Sequence, residues 1–376
     1  MATFGDIAKG FDYGMNAAAK SFDGNNKYIR ITDIDEVSSQ YLYDDVVSPD
    51  GELEDRYLVK ENDILLARTG ASTGKSYLYR NSDGKLYFAG FLIRANIYKH
   101  NSYFVFSQLH TLRYKKWISV MSARSGQPGI NSQEYASFPV YTTSLQEEDK
   151  IATFLKLLDE RIITQNKIIE RYESLIRGIN QYAFTNTGIN YKLGEICEIR
   201  SGYSGNQLTL KNGLKVSRIE TISGHKVNME RVGYVAPFES SENYRLQIGD
   251  ILFSNINSVE YIGNTAFIDK DYNLYHGMNL LRLIPKKELV MPFYLYLVLN
   301  TNRLLNHFKT VCNKAVSQAS INQTELGKTI VRIPNLMNQN RICELFQTLY
   351  TKLEAERYFI SLLQDQKQHL LRQMFI

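Results

Sequence analysis

Two long segments of this chain place apolar residues at alternating intervals of four and three positions. The first segment covers residues 146–184, and its stripe is formed by Ile151, Leu155, Leu158, Ile162, Ile169 and Ile176. This spacing is that of the a and d positions of a coiled coil. An uninterrupted helix over this segment would be about 55 Å long, at 1.5 Å per residue. Because so narrow a stripe cannot be buried by its own helix, the segment requires a partner helix of similar length.

The partner segment lies in the same chain, at residues 337–376. Its stripe follows the same rule through Ile342, Phe346, Leu349, Leu353, Ile360, Leu363 and Leu370. A polar residue interrupts each stripe at the same relative position, Gln165 in the first and Glu356 in the second. Each segment follows a proline and ends close to a phenylalanine, Phe184 or Phe375. The chain therefore repeats itself, and each repeat supplies the partner helix of the other.

The repeat continues into the region before each helix. Phe-Gly-Asp-Ile at residues 4–7 matches Leu-Gly-Glu-Ile at residues 193–196, and Asp-Ile-Leu occurs at residues 63–65 and again at 250–252. Short segments with alternating apolar residues in both copies predict strands, and the repeated Asp-Ile-Leu motif predicts a turn followed by a buried strand. The fold class predicted for each copy is therefore mixed α/β (α+β), and the whole chain is predicted to have an internal pseudo-two-fold repeat.

The middle of each domain is predicted to contain one aromatic-rich amphipathic helix, at residues 103–121 in the first copy and 293–311 in the second. The ends of the two copies agree whereas their middles diverge, which favours one scaffold carrying two different recognition surfaces. An old duplication with drifted loops is the alternative. The predicted boundaries are 1–143 for the first domain, 144–184 for its helix, 185–335 for the second domain and 336–376 for its helix.

The composition excludes several classes of protein. The net charge is only +5, which is a weak indication of an anionic partner. No apolar run approaches the ~20 residues that a membrane span needs, and the first residues lack the pattern of a signal peptide. The cysteines Cys197, Cys312 and Cys343 are widely spaced, which indicates reduced thiols rather than disulfides or a zinc site. We therefore expect a cytoplasmic protein.

No residue pattern indicates catalysis. Residues 69–76 read TGASTGKS, which is close to a phosphate-binding loop but has Thr69 where that pattern requires glycine. The next residues predict a strand, whereas a phosphate-binding loop leads into a helix. The histidines lack metal-ligand spacing, and no fingerprint for a methyl-donor cofactor is present. The sequence therefore predicts a chain that is not an enzyme and has no metal or cofactor of its own.

A block of basic charge lies in the first domain, between residues 64 and 133. It contains ten lysines and arginines against a single carboxylate, Asp83. A phosphate backbone attracts such a field, although a solvated basic face is an alternative. Two of the candidate contacts named below, Arg68 and Gln127, could equally well form hydrogen bonds within their own loops. The candidate DNA contacts of this domain are Arg68, Thr69, Lys75, Arg113, Lys115, Lys116, Arg124 and Gln127.

The second domain has a weaker charge bias and more amide side chains at the corresponding places. Asparagine and glutamine can bind adenine through two hydrogen bonds in the major groove. The candidate DNA contacts of this domain are Asn255, Asn257, Lys314 and Gln318.

These patterns resemble the specificity (S) subunit of type I DNA restriction–modification enzymes. In the first copy the resemblance rests on DILLARTG at residues 63–70, Gly-Lys at 74–75, GQPGIN at 126–131 and the helix entry KIATFLKLLD at 150–159. The second copy keeps Asp250-Ile251-Leu252, Ser320-Ile321-Asn322 and Ile333-Pro334, and it lacks the Arg-Thr-Gly and Gly-Lys elements.

The resemblance implies a function. The two domains would be target-recognition domains, each reading one half of a split double-stranded DNA site, and the two helices would pack antiparallel as the spacer. Two modification (methyltransferase) subunits would bind the spacer and carry S-adenosylmethionine, and restriction subunits would join through them. Domains at the ends of a rod of about 50 Å would read half-sites more than one helical turn apart.

Two alternatives to this function remain open. The chain could be a recognition fragment of a fused methyltransferase or nuclease, or a non-catalytic protein that uses its coiled coil for assembly alone. Cofactor motifs would mark the first alternative. The second would require no basic block and would show no sequence preference on DNA.

Overall fold

The computed structural model of the chain describes residues 1–123, 129–184, 188–209, 212–314 and 318–375. Contacts between residues divide the chain into two compact units. Unit 1 comprises residues 1–168 and 356–376, and unit 2 comprises residues 169–355. Each unit therefore contains one of the repeated domains and part of each long helix.

Unit 1 alternates short strands with short helices until the first long helix begins. Its elements are β1 (Ala2–Thr3), α1 (Phe4–Ile7), β2 (Ala8–Tyr13), β3 (Ala18–Ser21), β4 (Lys27–Ile29), β5 (Val47–Asp50), β6 (Asp63–Ala67), β7 (Ser76–Leu78), β8 (Leu86–Phe88), β9 (Leu92–Ile97), α2 (Ser102–Gln108), α3 (Leu112–Ser122), α4 (Ser132–Ala136), β10 (Pro139–Val140) and the start of α5 (Leu145–Tyr182). The central sheet is antiparallel with the strand order β2-β9-β6-β7. Smaller ladders join β1 to β10, β3 to β5 and β4 to β8.

Strand β6 is buried on both faces of the central sheet. Ile64 and Leu66 point into the core formed with α2, α3 and α4, whereas Leu65 and Ala67 point into a second core on the opposite face. Successive side chains of a strand alternate between faces, so a strand covered on both sides has to be a continuous apolar run. The run Asp-Ile-Leu-Leu-Ala satisfies that requirement, and the buried strand expected after the turn at residue 62 is confirmed.

Unit 2 has a similar order of elements with additional short strands, and it contains the first part of the second long helix. Its elements are β11 (Ile189–Lys192), α6 (Leu193–Ile196), β12 (Cys197–Ser201), β13 (Leu214–Val216), β14 (Gly233–Val235), β15 (Ile251–Ser254), β16 (Ile256–Asn257), β17 (Thr265–Phe267), β18 (Leu280–Pro285), α7 (Pro292–Leu299), α8 (Asn302–Val311), β19 (Asn313–Lys314), β20 (Ala319–Ser320), α9 (Gln323–Gly327), β21 (Ile330–Ile333) and α10 (Leu336–Met374).

The central sheet of unit 2 has the order β12-β18-β15-β17, which is the order of the corresponding strands in unit 1. Ile251 and Phe253 of β15 enter one core, and Leu252 enters the other. The two repeats therefore share a sheet topology and a division of side chains between two cores. The predicted mixed α/β fold with an internal repeat is confirmed.

Each predicted middle helix is broken in two by a threonine. The sequence predicts one helix per domain, whereas the structure has α2 and α3 in unit 1, and α7 and α8 in unit 2. The Thr111 hydroxyl accepts a hydrogen bond from the Tyr114 amide at 3.2 Å and so caps α3. Thr301 caps α8 in the same way, because its hydroxyl accepts a hydrogen bond from the Leu304 amide at 3.4 Å. The apolar pattern runs through both caps because both helices of each pair face the same core, so periodicity alone hides the break.

The two long helices pack antiparallel in unit 1. Near the start of α5, Leu155 shares a core with Leu371, which lies near the end of α10. Further along, Asp159 Oδ1 lies 2.5 Å from Lys367 Nζ. Later residues of α5 therefore contact earlier residues of α10, as expected for an antiparallel pair.

The two polar interruptions of the predicted stripes meet each other in the seam. The Gln165 amide donates a hydrogen bond to the Glu356 carboxylate, and Gln165 is buried. A buried polar group without a partner costs about 1–3 kcal/mol, so this pairing removes a penalty that either residue would carry alone. The pair also marks one register of the helices, because a shifted seam would place each polar group against apolar side chains.

The seam continues in unit 2 with aliphatic and aromatic residues. Ile176 of α5 shares a core with Phe346 and Leu353 of α10, and Ile169 and Leu349 pack against that core. All thirteen residues predicted to form the seam are buried or half-buried. The antiparallel coiled coil expected from the two stripes is therefore present in the fold.

A buried ion pair joins the start of β15 to β18 in unit 2. Arg282 Nη2 lies 2.6 Å from Asp250 Oδ2, and the two side chains are only 6% and 4% exposed. The Asp250 carboxylate also accepts a hydrogen bond from the main-chain N–H of Gln247 at 2.6 Å, which closes the turn before β15. Arg94 and Asp63 occupy the equivalent positions of unit 1, 4.0 Å apart. The aspartate of the repeated Asp-Ile-Leu motif therefore links the corresponding two strands of the sheet in both units.

Among the described residues, each helix is too short or too polar to cross a membrane. Cys197, Cys312 and Cys343 are free and buried. Burial raises the pKa of the Cys197 thiol to about 12, so this sulfur stays protonated at neutral pH and is a poor nucleophile.

Candidate nucleic-acid interface

One edge of the central sheet of unit 1 gathers residues from three distant parts of the chain. β2 ends at Tyr13, Arg68 follows β6, and Phe91 precedes β9. These positions meet because the last residues of β2 and β6 lie opposite the first residues of β9. We call Tyr13, Arg68 and Phe91 the sheet edge of unit 1. Tyr13 is 43% exposed and Phe91 is 57% exposed.

Arg68 is tied to this edge by its own contacts. Its Nε donates a hydrogen bond to the Gly90 carbonyl oxygen at 3.1 Å, and its guanidinium lies 5.1 Å from the centre of the Tyr13 ring. The neighbouring Thr69 forms an antiparallel bridge with Gly129. Arg68 and Thr69, which were both predicted to contact DNA, therefore lie at the sheet edge of unit 1. Arg68 also forms the hydrogen bond within the domain that the sequence analysis left open as an alternative. Arg124 and Gln127 lie outside the described residues.

Helix α3 packs against the loop of residues 70–75. The Tyr114 hydroxyl donates a hydrogen bond to the Gly74 carbonyl oxygen at 3.1 Å. Gly74 has a φ of +92°, and a Cβ at this position would lie 2.9 Å from Ile118. Only glycine fits such a backbone and so close an approach. Lys75 follows Gly74 and leads into the strand β7, which confirms the strand predicted after this loop, whereas a phosphate-binding loop leads into a helix.

Helix α3 exposes its lysines to solvent and half-buries its arginine. Lys115 and Lys116 are exposed. The Arg113 guanidinium lies 4.3 Å from the centre of the Tyr141 ring and donates a hydrogen bond to Gln108 Oε1 at 3.2 Å. Burial lowers the pKa of Arg113. Of these three predicted contacts, the lysines are open to a phosphate backbone, whereas Arg113 is held by the domain itself.

The single carboxylate of the basic block is removed from the surface. Asp83 is 6% exposed, and its two oxygens accept hydrogen bonds from the Tyr77 hydroxyl at 2.5 Å and the Tyr43 hydroxyl at 2.7 Å. Burial and the Asp83 carboxylate together raise the pKa of Tyr77, so this hydroxyl remains a donor. The burial of Asp83, which the sequence alone does not reveal, leaves the exposed charge between residues 64 and 123 basic.

In unit 2 a three-stranded sheet brings the predicted contacts together. The sheet has the order β16-β20-β19, and Ala319 of β20 lies between Asn257 and Lys314 on its two sides. Gln318 precedes β20, and both Lys314 and Gln318 are exposed. Asn257 Nδ2 donates a hydrogen bond to a serine hydroxyl at 3.0 Å. Asn255 is half-buried, and its carbonyl oxygen accepts a hydrogen bond from the main chain at 2.9 Å.

The sequence reasoning missed Tyr13 and Phe91. Both residues are aromatic and largely exposed at the edge that also holds Arg68. Exposed aromatic side chains can contact the thymine methyl group or stack on bases. The signal in the sequence was weak, since Phe91 only follows Gly90, which the second copy repeats as Gly277, and Tyr13 ends an ordinary strand.

A buried histidine supports the corresponding edge of unit 2. His276 is 1% exposed, and its Nε2 donates a hydrogen bond to the Leu280 carbonyl oxygen at 2.9 Å. Burial lowers the pKa of His276 to about 4, and the nearby Arg282 charge acts in the same direction. The folded protein therefore keeps this ring neutral, whereas an unfolded histidine takes up a proton near pH 6.5.

We expect unit 2 to lose stability as the pH falls from about 6.5 to about 4, because the unfolded chain binds a proton that the folded chain excludes. The loss attributable to His276 is about 2–3 kcal/mol. Urea unfolding of wild type and His276→Gln across this pH range measures the difference. The variant should have the flatter profile, and His369→Gln, at an exposed position, should follow wild type. Parallel profiles for His276→Gln and wild type would refute the assignment.

Comparison with known proteins reveals relatives along most of the chain. The family described as the type I restriction modification DNA specificity domain matches residues 4–173 and 189–359. The type I restriction enzyme MjaX specificity subunit of Methanocaldococcus jannaschii is 38% identical over 188 residues, which are 49% of this chain and 44% of that relative. The chain thus matches less than half the length of that relative.

Two further comparisons extend over nearly the whole chain. The MjaVIII specificity subunit of the same organism is 23% identical over 355 residues, covering 85% of this chain and 80% of the relative. The crystal structure of a type I restriction–modification system S subunit from M. genitalium has a TM-score of 0.63 at 15% identity, and the match covers 100% of this chain and 95% of that chain. Because the sequence identity is only 15%, this match shows a similarity of fold alone.

The matched family covers one domain and most of one long helix in each repeat. The strand order, the paired helices and the S subunit fold agree with that match. This chain belongs to the family of type I restriction–modification specificity subunits.

Proposed function

We propose that this chain reads a bipartite double-stranded DNA site, with one half-site bound by the domain at residues 1–143 and the other by the domain at residues 185–335. The helices at residues 144–184 and 336–376 form the spacer. The observation that carries the proposal is the surface of unit 1, where Arg68 lies against the exposed Tyr13 ring and α3, packed on the adjoining loop, exposes Lys115 and Lys116. Such a surface suits a phosphate backbone and base edges together.

The chain's own role in this proposal is recognition. Two modification subunits bind the spacer and supply S-adenosylmethionine and the methyl-transfer chemistry, and restriction subunits join the same complex. The family match supports partners of this kind. The two domains differ in their exposed side chains, which supports two different half-sites. The length of the spacer sets the distance between the two domains, and the gap between the two half-sites on the DNA has to match that distance.

The test of this function is the pattern of adenine methylation in cellular DNA. The chain is co-purified with the methyltransferase encoded beside it, and methylated adenines are mapped with and without the gene for this chain. We expect a motif of two short specific parts around a fixed gap, present only when this chain is expressed. Methylation that is indifferent to this chain would contradict the proposal and favour the assembly role.

Replacing Lys115 and Lys116 together with alanine should weaken binding to all duplexes. Each phosphate contact contributes about 0.9 to the slope of log K against log salt concentration. The double variant should therefore lower that slope by about 2, with little change in sequence preference. Fluorescence anisotropy of the full chain on labelled duplexes at several salt concentrations measures it.

A charge-matched control is available at the opposite edge of the same sheet. Lys9 and Lys99 are exposed, and they lie near the paired residues Ala8 and Ile97, away from the sheet edge of unit 1. Replacing both with alanine removes the same two charges, so a general effect of net charge would appear in both double variants. Equal slopes for the two double variants would refute the placement of α3 at the DNA.

A further inference from the structure

A groove in unit 2 is lined by three amide side chains from two separate loops. Asn206 and Gln207 come from the loop after β12, and Asn279 immediately precedes β18. We call these three residues the amide groove. Arg218 and Glu220 line the same groove and pair with each other at 3.6 Å, so the charges beside the amides are already balanced.

The groove lies at the same edge of the sheet as the candidate contacts of unit 2. The last residues of β12 and β15 lie opposite the first residues of β18. The loop after β12, the residue before β18 and Asn255 after β15 therefore emerge together. This is the edge that holds Tyr13, Arg68 and Phe91 in unit 1, with Asn279 at the position of Phe91 and Asn255 at the position of Arg68.

The backbone beneath the groove is closely packed. The Tyr203 amide donates a hydrogen bond to the His276 carbonyl oxygen at 2.9 Å. A Cβ on Gly202 would lie 1.8 Å from the Gly277 carbonyl oxygen, so the two loops touch through their main chains. The Tyr203 ring stacks on Phe238 with the ring centres 3.9 Å apart. Close packing of this kind fixes the spacing of the amides without using their side chains.

Asn279 is itself held in an unusual conformation. Its φ is +64°, a left-handed backbone that asparagine adopts more readily than most residues. The side chain is exposed, and its amide has no hydrogen-bond partner among the described residues. Asn206 and Gln207 are exposed as well. The protein therefore presents three amides at a rigid edge and leaves that of Asn279 available to a ligand.

We propose that the amide groove reads an A·T base pair in the half-site bound by unit 2. An asparagine or glutamine amide matches the N6 donor and N7 acceptor of adenine in the major groove. The equivalent edge of unit 1 offers an arginine and two aromatic rings instead, so the two half-sites are read with different chemistry. The inference rests on the proposed function and adds Asn206, Gln207 and Asn279 as specificity-determining residues.

The test selects preferred duplexes from a randomised library with the full chain and sequences the bound fraction at fixed salt. Asn279→Gly removes the amide and keeps a residue that accepts the left-handed backbone. Asn206→Ala removes a second amide from the other loop. Asn273→Gly is the matched control, because Asn273 is exposed with a φ of +49° and does not line the groove.

We expect Asn279→Gly and Asn206→Ala to lose about 10- to 100-fold discrimination for A·T at one or two positions of one half-site. The other half-site and the salt dependence should stay unchanged, and Asn273→Gly should keep the wild-type motif. If circular dichroism shows Asn279→Gly to be misfolded, the result for Asn206→Ala decides. Wild-type motifs in the folded groove variants would overturn the inference alone. A wild-type chain without any motif would overturn the proposed function as well.

Discussion

Replacing Arg282 with methionine should destabilise unit 2 by about 3–5 kcal/mol. The substitution leaves the Asp250 carboxylate buried without its ion-pair partner, and an uncompensated buried charge is among the costliest defects that a protein core can carry. Asp250 is only 4% exposed in its side chain and lies 2.6 Å from Arg282. It cannot escape into solvent without opening the turn that it closes through the Gln247 amide.

The expected loss is measured by native-state hydrogen exchange of the amides in β15 and β18, which reports opening of this sheet locally. The double variant Arg282→Met with Asp250→Asn should recover much of the loss, because the asparagine oxygen still accepts from Gln247 and no charge remains buried. Arg245→Met breaks the more exposed pair with Asp271 and should cost below about 1 kcal/mol. If Arg282→Met costs no more than Arg245→Met, the pair does not stabilise the sheet.

Replacing Phe346 with alanine should cost about 3–5 kcal/mol, the usual cost of removing a large aromatic side chain from a packed core. Phe346 is 0% exposed. It packs with Ile176 and Leu353 in the seam, and its ring lies 6.0 Å from that of Phe184. A side chain enclosed on several sides leaves a cavity that the two helices can close only by moving together, which would disturb their other contacts.

The neighbouring Leu345 supplies the matched control. It is 45% exposed on the same helix, so Leu345→Ala removes an apolar side chain without opening a cavity and should cost below about 1 kcal/mol. Urea unfolding followed by circular dichroism compares the two variants and wild type. Equal losses for Phe346→Ala and Leu345→Ala would mean that helix propensity, rather than burial in the seam, determines the stability of α10.

Much of the fold could be predicted from local patterns. The four–three spacing predicted both long helices and the residues that face each other, because a coiled-coil seam has the same requirement at every heptad. The repeated Asp-Ile-Leu motif predicted a buried strand in each domain. The break at Thr111 escaped prediction because a cap changes the backbone without interrupting the apolar pattern. Arg113 and Lys115 looked alike as basic residues, yet the structure half-buries the first against Tyr141 and exposes the second.

The sequence by itself determined the repeat, the pairing of the two long helices and the basic character of the first domain, since these depend on spacing and composition along the chain. Only the tertiary structure decided which side chains share a surface. Tyr13, Arg68 and Phe91 meet, as do Asn206 and Asn279, because strand pairing brings distant segments to one sheet edge. Whether a charge faces solvent or the core likewise depends on non-local packing, which periodicity along the chain does not encode.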